Sequence, residues 1–476
     1  MTKSQRTALA VLSAAMLMTI LDGSIVTVAM PAIQEDLGFS PAGLSWTVNA
    51  YLIAFGGLLL LAGRLGDLIG RKTMFVTGNI VFTAASVLAG VATTPVVLVA
   101  ARFLQGIGSA IAASVVLGIL VTIFTEPRQR ATAIGVFSFI GAAGASIGQV
   151  LGGVLTDALN WHWIFLINVP IGVLTVFVAM KALPADRGLG WAAGADVLGA
   201  ALVTAGLMLG IYTVVEVELY GWVSTHTLGL GALAAALLAA FVVRQATATN
   251  PLLPLRIFRS RTVSGANVVQ MLTLAAMFAF QIIVALYLQK VLGYNALQTG
   301  LAMLPAAVAI GAVSLFASAR LITRFGERAV LIAGLALLLA GMSWLIRLPV
   351  DAAYLTDVLP VMVAISGGGL VLPALTALGM SGADADDAGL ASGLFNTTQQ
   401  VGMAIGVAVL STLAAARTGI ELVTGASDAE ALTSGYRLAF TVAAGLLAAA
   451  LLVSATVLRK RNRTETESVA APVLAV

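Results

Sequence analysis

Fourteen apolar windows, each roughly 18 to 25 residues long, recur along this chain. They fall near 8–30, 42–62, 73–93, 96–121, 131–156, 163–181, 194–216, 226–244, 263–288, 297–319, 329–347, 357–380, 390–414 and 436–458. A helix of ~20 residues at ~1.5 Å per residue crosses the hydrocarbon layer of a bilayer. Lipid offers no partner to a backbone N–H or C=O, so such windows must bond internally as helices. The sequence therefore predicts an all-α membrane protein with 14 transmembrane helices. Composition agrees: 10% of residues are charged, against ~25% in soluble domains, and the mean hydropathy is +1.03. The 49 glycines suit close helix approach in lipid. The first window is too long for the apolar region of a signal peptide and contains Asp22, so it reads as a retained helix.

Charge orients the helices. With the N-terminus in the cytoplasm, twenty of the 25 Lys and Arg residues fall on the cytoplasmic side and four on the other, with Arg102 left inside a span. That is the positive-inside asymmetry, and it requires an even number of crossings with both termini cytoplasmic. The net charge of +4 is thereby accounted for as topology, and no nucleic-acid partner is expected. The absence of cysteine removes disulfides and thiolate metal sites, and two distant histidines do not make a zinc site. No metal or cofactor is expected, and no nucleotide-binding loop of the G-x-x-x-x-G-K-[ST] kind occurs.

The chain repeats itself. GRLGDLIGRK (Gly63–Lys72) returns as ARLITRFGER (Ala319–Arg328), pairing Gly70 with Gly326 and Lys72 with Arg328. Ala133–Gly148 likewise aligns with Ala391–Gly406. Two six-helix bundles related by a parallel repeat follow, at 1–187 and 251–460, with a two-helix insert at 188–250 and a cytoplasmic tail at 461–476.

Two charges lie within spans. Asp22 sits eight residues from Met30 and Arg102 seven from Pro95, so counting along the first and fourth spans places them at similar depth. A charge in hydrocarbon is costly and marks ion pathways or relays. Asp22 is read as the proton-carrying group and Arg102 as its partner, directly or through Gln105.

These residues resemble the major facilitator superfamily, specifically its fourteen-helix drug:proton antiporters. LDGSIVTVAMP (Leu21–Pro31) is similar to that group's first-helix motif. GRLGDLIGRK resembles the superfamily's motif between the second and third helices, ARFLQGIGSA (Ala101–Ala110) its fourth-helix motif, and WHWIFLINVPIG (Trp161–Gly172) the start of its sixth helix. One departure stands out: Gln149 occupies the place where the fifth-helix antiporter motif has proline. Another is Gln399-Gln400, where relatives often carry Arg-Gln.

The resemblance implies a conformational latch at Gly63, Asp67, Gly70 and Arg71, with Asp67 capping a helix or pairing with Arg128 or Arg130. Gly144, Gly148, Gly152 and Gly153, with Gly141, form a small-residue face for helix packing. Polar residues within spans, namely Asn49, Gln281, Asn396, Gln399 and Gln400, are the candidate substrate contacts. The expected function is proton-coupled multidrug efflux of hydrophobic or cationic small molecules by alternating access, in the plasma membrane and without enzymatic chemistry. Protons, small molecules and membrane lipids are the expected partners. Two alternatives stand beside it: a dedicated exporter of a single metabolite, antibiotic or lipid, and a non-transporting membrane receptor or scaffold.

Overall fold

Helices make up all the regular structure among the described residues of the computed structural model. These are residues 1–458 except 41–42, 185, 187, 189, 191–195, 250, 254 and 382–387. Several side chains within helices, those of Arg64, Asp67, Arg128, Arg130 and Asn396 among them, lie outside the described residues, as do the surroundings of Gly141 and the tail 461–476. In chain order the helices are α1 (Lys3–Leu37), α2 (Trp46–Ile69), α3 (Arg71–Gly90), α4 (Pro95–Ile123), α5 (Pro127–Ala158), α6 (Trp163–Leu166), α7 (Asn168–Ala182), α8 (Val197–Val215), α9 (Val217–Tyr220) and α10 (Thr225–Thr247). They continue as α11 (Arg261–Lys290), α12 (Ala296–Ala312), α13 (Ala319–Phe325), α14 (Glu327–Leu345), α15 (Leu359–Ala364), α16 (Gly368–Ser381), α17 (Ala388–Val423) and α18 (Asp428–Thr456).

Among the described residues, 12 helical stretches are long and apolar enough to cross a membrane. The two remaining sequence windows fall on α2 and α5, helices of 24 and 32 residues whose side chains are described only in part. α1 outruns its window. Thr2 and Gln5 cap its start reciprocally, it passes through Pro31, and it stops where Gly38 takes φ +70°. Asp22 thus lies near the middle of a helix of 35 residues, deeper than a helix ending at Met30 would put it.

The segment Gly63–Lys72 is helical almost throughout. Gly63 and Gly66 are inside α2, and the whole turn to α3 is Gly70 at φ +113°. A methyl group there would strike the Asp186 carbonyl at 2.8 Å, so glycine is needed twice over, for conformation and for space. The second repeat has the same joint: Gly326, at φ +84°, is the single residue between α13 and α14. The cation two residues on does the same work in both. Lys72 Nζ donates to the carbonyls of Met180 (2.7 Å) and Leu183 (2.8 Å) at the end of α7. Arg328 donates from Nε to Ser454 O (3.2 Å) and from a terminal nitrogen to Ala455 O (2.5 Å) at the end of α18. Each brace meets the unpaired carbonyls and negative dipole end of a helix.

Packing follows the repeat. α1 lies on α5 and α11 on α17; α3 pairs with α7 and α14 with α18. One large buried cluster, from Ala266 to Leu458, belongs to the second repeat alone, while two others lie chiefly in the first. The repeats meet where α5 crosses α12 and where α2 runs against α17. α8 packs on α10, and also on α2 and α17, so it bridges both repeats. Its Thr204 fits against Gly57, where a Cβ would lie 2.7 Å from Thr204 Oγ1.

Candidate functional site

The two intramembrane charges meet. Arg102 donates from a terminal nitrogen to Asp22 Oδ2 at 2.5 Å, and the residues are 1% and 0% exposed. The other carboxylate oxygen accepts from Gln105 Nε2 and Asn168 Nδ2, both at 3.0 Å. Arg102 Nε donates to the Thr47 carbonyl at 2.7 Å, and the Tyr51 ring lies under the guanidinium with its centroid 4.6 Å from Cζ. Gln105 is fixed in turn: its Oε1 accepts from Arg102 at 2.9 Å and its Nε2 donates to Ser86 Oγ at 2.9 Å. α1, α2, α3, α4 and α7 each place a residue in this hub. Glycine lets the backbones close in: a Cβ at Gly108 would sit 2.8 Å from the Gly78 carbonyl.

Burying two charges costs several kcal/mol each, offset only when geometry and extra hydrogen bonds are good. Here three side-chain donors, Arg102, Gln105 and Asn168, meet the carboxylate. Solvent has no access to Asp22 while this shell, built from α1, α4 and α7, stays closed. Asn168, Ser86 and Thr47 were not among the sequence candidates; Asn168 stands in the Trp161–Gly172 motif, where an amide within an apolar run was the available signal.

The second cluster is at the α2–α3 joint. Asp186 accepts from the amides of Arg71 (2.7 Å) and Lys72 (3.2 Å), capping the positive end of α3 from beyond the end of α7. Arg71 reaches Thr122 Oγ1 at 3.3 Å on α4. The sequence reading gave the capping role to Asp67, whose side chain lies outside the described residues.

The glycine face is close-packed. Gly144, Gly148 and Gly152 lie against α1: a Cβ at Gly144 would be 3.1 Å from Leu17 Cδ1, and one at Gly152 would be 2.8 Å from the Ile25 carbonyl. Gly153 instead faces α12, with Leu297 Cα at 2.6 Å from its Cβ position. Beside it Asp157 Oδ2 accepts from the Leu297 amide at 2.9 Å. Gln149, at the antiporter proline position, is buried at this same crossing, with the Gly300 Cβ position 2.5 Å from its carbonyl.

The candidate substrate contacts separate. Gly56 on α2 meets Gln400 on α17, with 2.7 Å between its Cβ position and Gln400 Cβ; Asn49 lies two turns along the same face of α2. Both polar atoms of Asn49 and the Gln400 Oε1 are buried without a hydrogen-bond partner. Gln281 is half-buried on α11 and Gln399 half-buried on α17; the Asn396 side chain lies outside the described residues. Among the described residues no group of three or more metal-ligating side chains assembles.

Comparison with known proteins identifies the family and the fold. Residues 12–407 match the family model of the Major Facilitator Superfamily. The chain is 39% identical over 455 residues to the cephamycin export protein of Amycolatopsis lactamdurans, covering 95% of this chain and 92% of that one. It is 34% identical over 473 residues to the puromycin resistance protein of Streptomyces alboniger, covering 98% and 93%. The fold matches that of a bacterial homologue of the human lysosomal transporter Spinster, with a TM-score of 0.66, 16% identity and coverage of 96% and 98%. The repeated helical halves, their glycine-packed crossings and the sequence match over nearly the whole chain place this protein in the major facilitator superfamily.

Proposed function

We propose that this chain is a secondary transporter that exports hydrophobic or cationic small molecules in exchange for protons, by alternating access. The observation that carries the reading is the Asp22–Arg102 pair, sealed from solvent where five helices of one repeat meet. Asp22 is the proton carrier and Arg102 its counter-ion. When the helices part, the carboxylate loses donors and gains water, so its charge state is tied to conformation. Relatives named for antibiotic export and resistance support the cargo class.

The arrangement we infer has fourteen crossings, with bundles at 1–187 and 251–460, the insert at 188–250, and both termini on the cytoplasmic face of the plasma membrane. Gly63, Asp67, Gly70 and Arg71 form a cytoplasmic latch, to which the structure adds Asp186 as a partner of Arg71. Gly144, Gly148 and Gly152 hold α5 against α1 within the first bundle, and Gly153 alone of the four packs at the α5–α12 crossing between the bundles. Asn49, Gln281, Asn396, Gln399 and Gln400 contact cargo. Of these, Asn49 and Gln400 are best supported, because their buried amides retain unused hydrogen-bonding capacity beside the other repeat.

Uptake of a fluorescent drug by inside-out vesicles tests the reading. A proton ionophore is expected to abolish uptake, and Asp22→Asn to reduce it to the level of empty vesicles. Undiminished uptake in either case would remove proton coupling through Asp22. A narrower reading, an exporter dedicated to one antibiotic, is favoured by relatives named for single compounds. A panel of unrelated dyes decides it, since a dedicated exporter moves none of them.

A further inference from the structure

Where the repeats face each other at the end of the bundle away from Gly70 and Gly326, they enclose a cavity of about 170 Å³. A cavity of ~150 Å³ holds one benzene ring. Its walls are mostly apolar, with Leu44 from the first repeat and Ile283, Leu286 and Tyr436 from the second. Besides the Tyr436 hydroxyl, five polar side chains break that surface, those of Gln34, Ser45, Lys290, Ser411 and Thr418. Ser45 is 1% exposed and its Oγ has no partner. Lys290 ends α11 at the cavity mouth, and its Nζ donates to Gln34 Oε1 across the repeats. It carries the one charge among the lining residues, which include no carboxylate.

The unused capacity continues inward from Ser45. One turn on, both amide atoms of Asn49 lack partners, as does Thr412 Oγ1 on the facing α17. A line of buried, unpartnered polar atoms along α2 and α17 thus leads from the level of Gln400 to the cavity. Buried polar groups normally find partners, so a row of unpaired ones on one contact surface indicates a ligand or water that pairs with them at another stage of the cycle.

We propose that this cavity is a binding site for molecules that join an aromatic ring to an anionic group, a carboxylate or sulfonate, and that it serves as the release-side site of the transport path. The ring fills the space between Leu44, Ile283, Leu286 and Tyr436, and the anion pairs with Lys290 Nζ and accepts from Ser45 Oγ. Its place in a path rests on the transport reading above; the binding chemistry does not, and it selects charge opposite to that of a cationic drug.

Benzoate, benzamide and benzamidine share one shape and differ in charge, so they form the probe set. Binding of radiolabelled benzoate to the purified full chain in nanodiscs is measured in competition with the other two. Benzoate is expected to bind at least tenfold more tightly than benzamidine, with benzamide between. Lys290→Gln should bring benzoate to the level of benzamide, Lys290→Arg should retain the preference, and Ala415→Leu, which narrows the cavity without touching charge, should weaken all three. Equal binding of the three probes, no binding, or a benzoate preference that survives Lys290→Gln would overturn the proposal. If Lys290→Gln does not fold, Lys290→Arg and Ala415→Leu still decide it. Vesicles that move no cargo under a pH gradient would sink the transport reading and leave the benzoate result standing.

Discussion

Asp22 and Arg102 were legible in the sequence because a charge inside an apolar run shows in one dimension. Of their shell only Gln105 was. Ser86 also bonds the Phe82 carbonyl one turn back, as any serine in a helix can, and only the fold reveals that it steadies Gln105. Asp186 was invisible for a related reason: its partners are backbone amides, which carry no sequence signature. The pairing itself makes a prediction. Arg102→Ala strands a buried carboxylate and should cost about 3–5 kcal/mol, whereas Asp22→Leu with Arg102→Met should recover most of that loss. Thermal unfolding of both proteins in detergent measures this. If the pair serves coupling and not only stability, the double variant should fold and still fail to accumulate drug under a pH gradient.

At the scale of elements, the all-helical membrane fold was readable from hydropathy, with 12 crossing-length apolar helices among the described residues against fourteen expected, and helix ends were read less well. α1 passes Pro31 because its other turns bond normally and Gly38 provides the stop, features weaker than the apolar pattern that set the expected boundary. In the motif between the second and third helices only Gly70 turns the chain; Gly66 is there so that α2 can meet Val115 on α4. The α5–α12 crossing is tight enough to predict that Gly153→Leu, which drives a branched side chain into the Leu297 backbone, lowers the yield of folded protein. Size-exclusion chromatography in detergent should show loss of the monodisperse peak, while Gly229→Ala, with nothing within 4 Å, should leave it intact.

The insert carries a pH prediction. Asp196, 3% exposed, caps α8 at the Gly199 amide (2.9 Å) and accepts from Arg244 (3.0 Å) and Gln245 (2.9 Å) on α10. Burial raises its carboxyl, but these donors outweigh burial and hold it below the usual 3.8. A depressed carboxyl contributes stability that is present above its unfolded value and lost as pH falls through the folded one. The protection factor of the Gly199 amide, its exchange relative to an unfolded amide at the same pH, should therefore hold from neutral pH down to the ordinary carboxylate range and fall only below it. Asp196→Ala should remove about 1 kcal/mol of local protection, roughly fivefold in exchange rate, at neutral pH. Arg244 is 41% exposed, so its charge adds little beyond that.

For the whole molecule, the repeat was visible as two short alignments, but its strength lies in geometry the letters did not show: the glycine joint and the cation brace recur on both sides. The insert had no sequence motif, and its role emerges from position alone. The repeats are tied at one end by Lys290 to Gln34 and by Gln289 Nε2 to the Val28 carbonyl (2.9 Å). The chain has no native cysteine, so Gln34→Cys with Lys290→Cys is a clean reporter. A bifunctional maleimide, which spans the length of the two lost side chains, should crosslink the pair and stop drug uptake, and a monofunctional maleimide should not; transport that continues through the crosslink would mean that this end never opens. α8 leans on α2 and α17 together, with Thr204 lodged at Gly57 of one repeat only. Under the alternating-access reading proposed above, a strut seated on one repeat and touching the other drags through the surrounding lipid on every stroke. Turnover should therefore slow in stiff, thick bilayers and quicken in fluid ones, even where cargo affinity is unchanged.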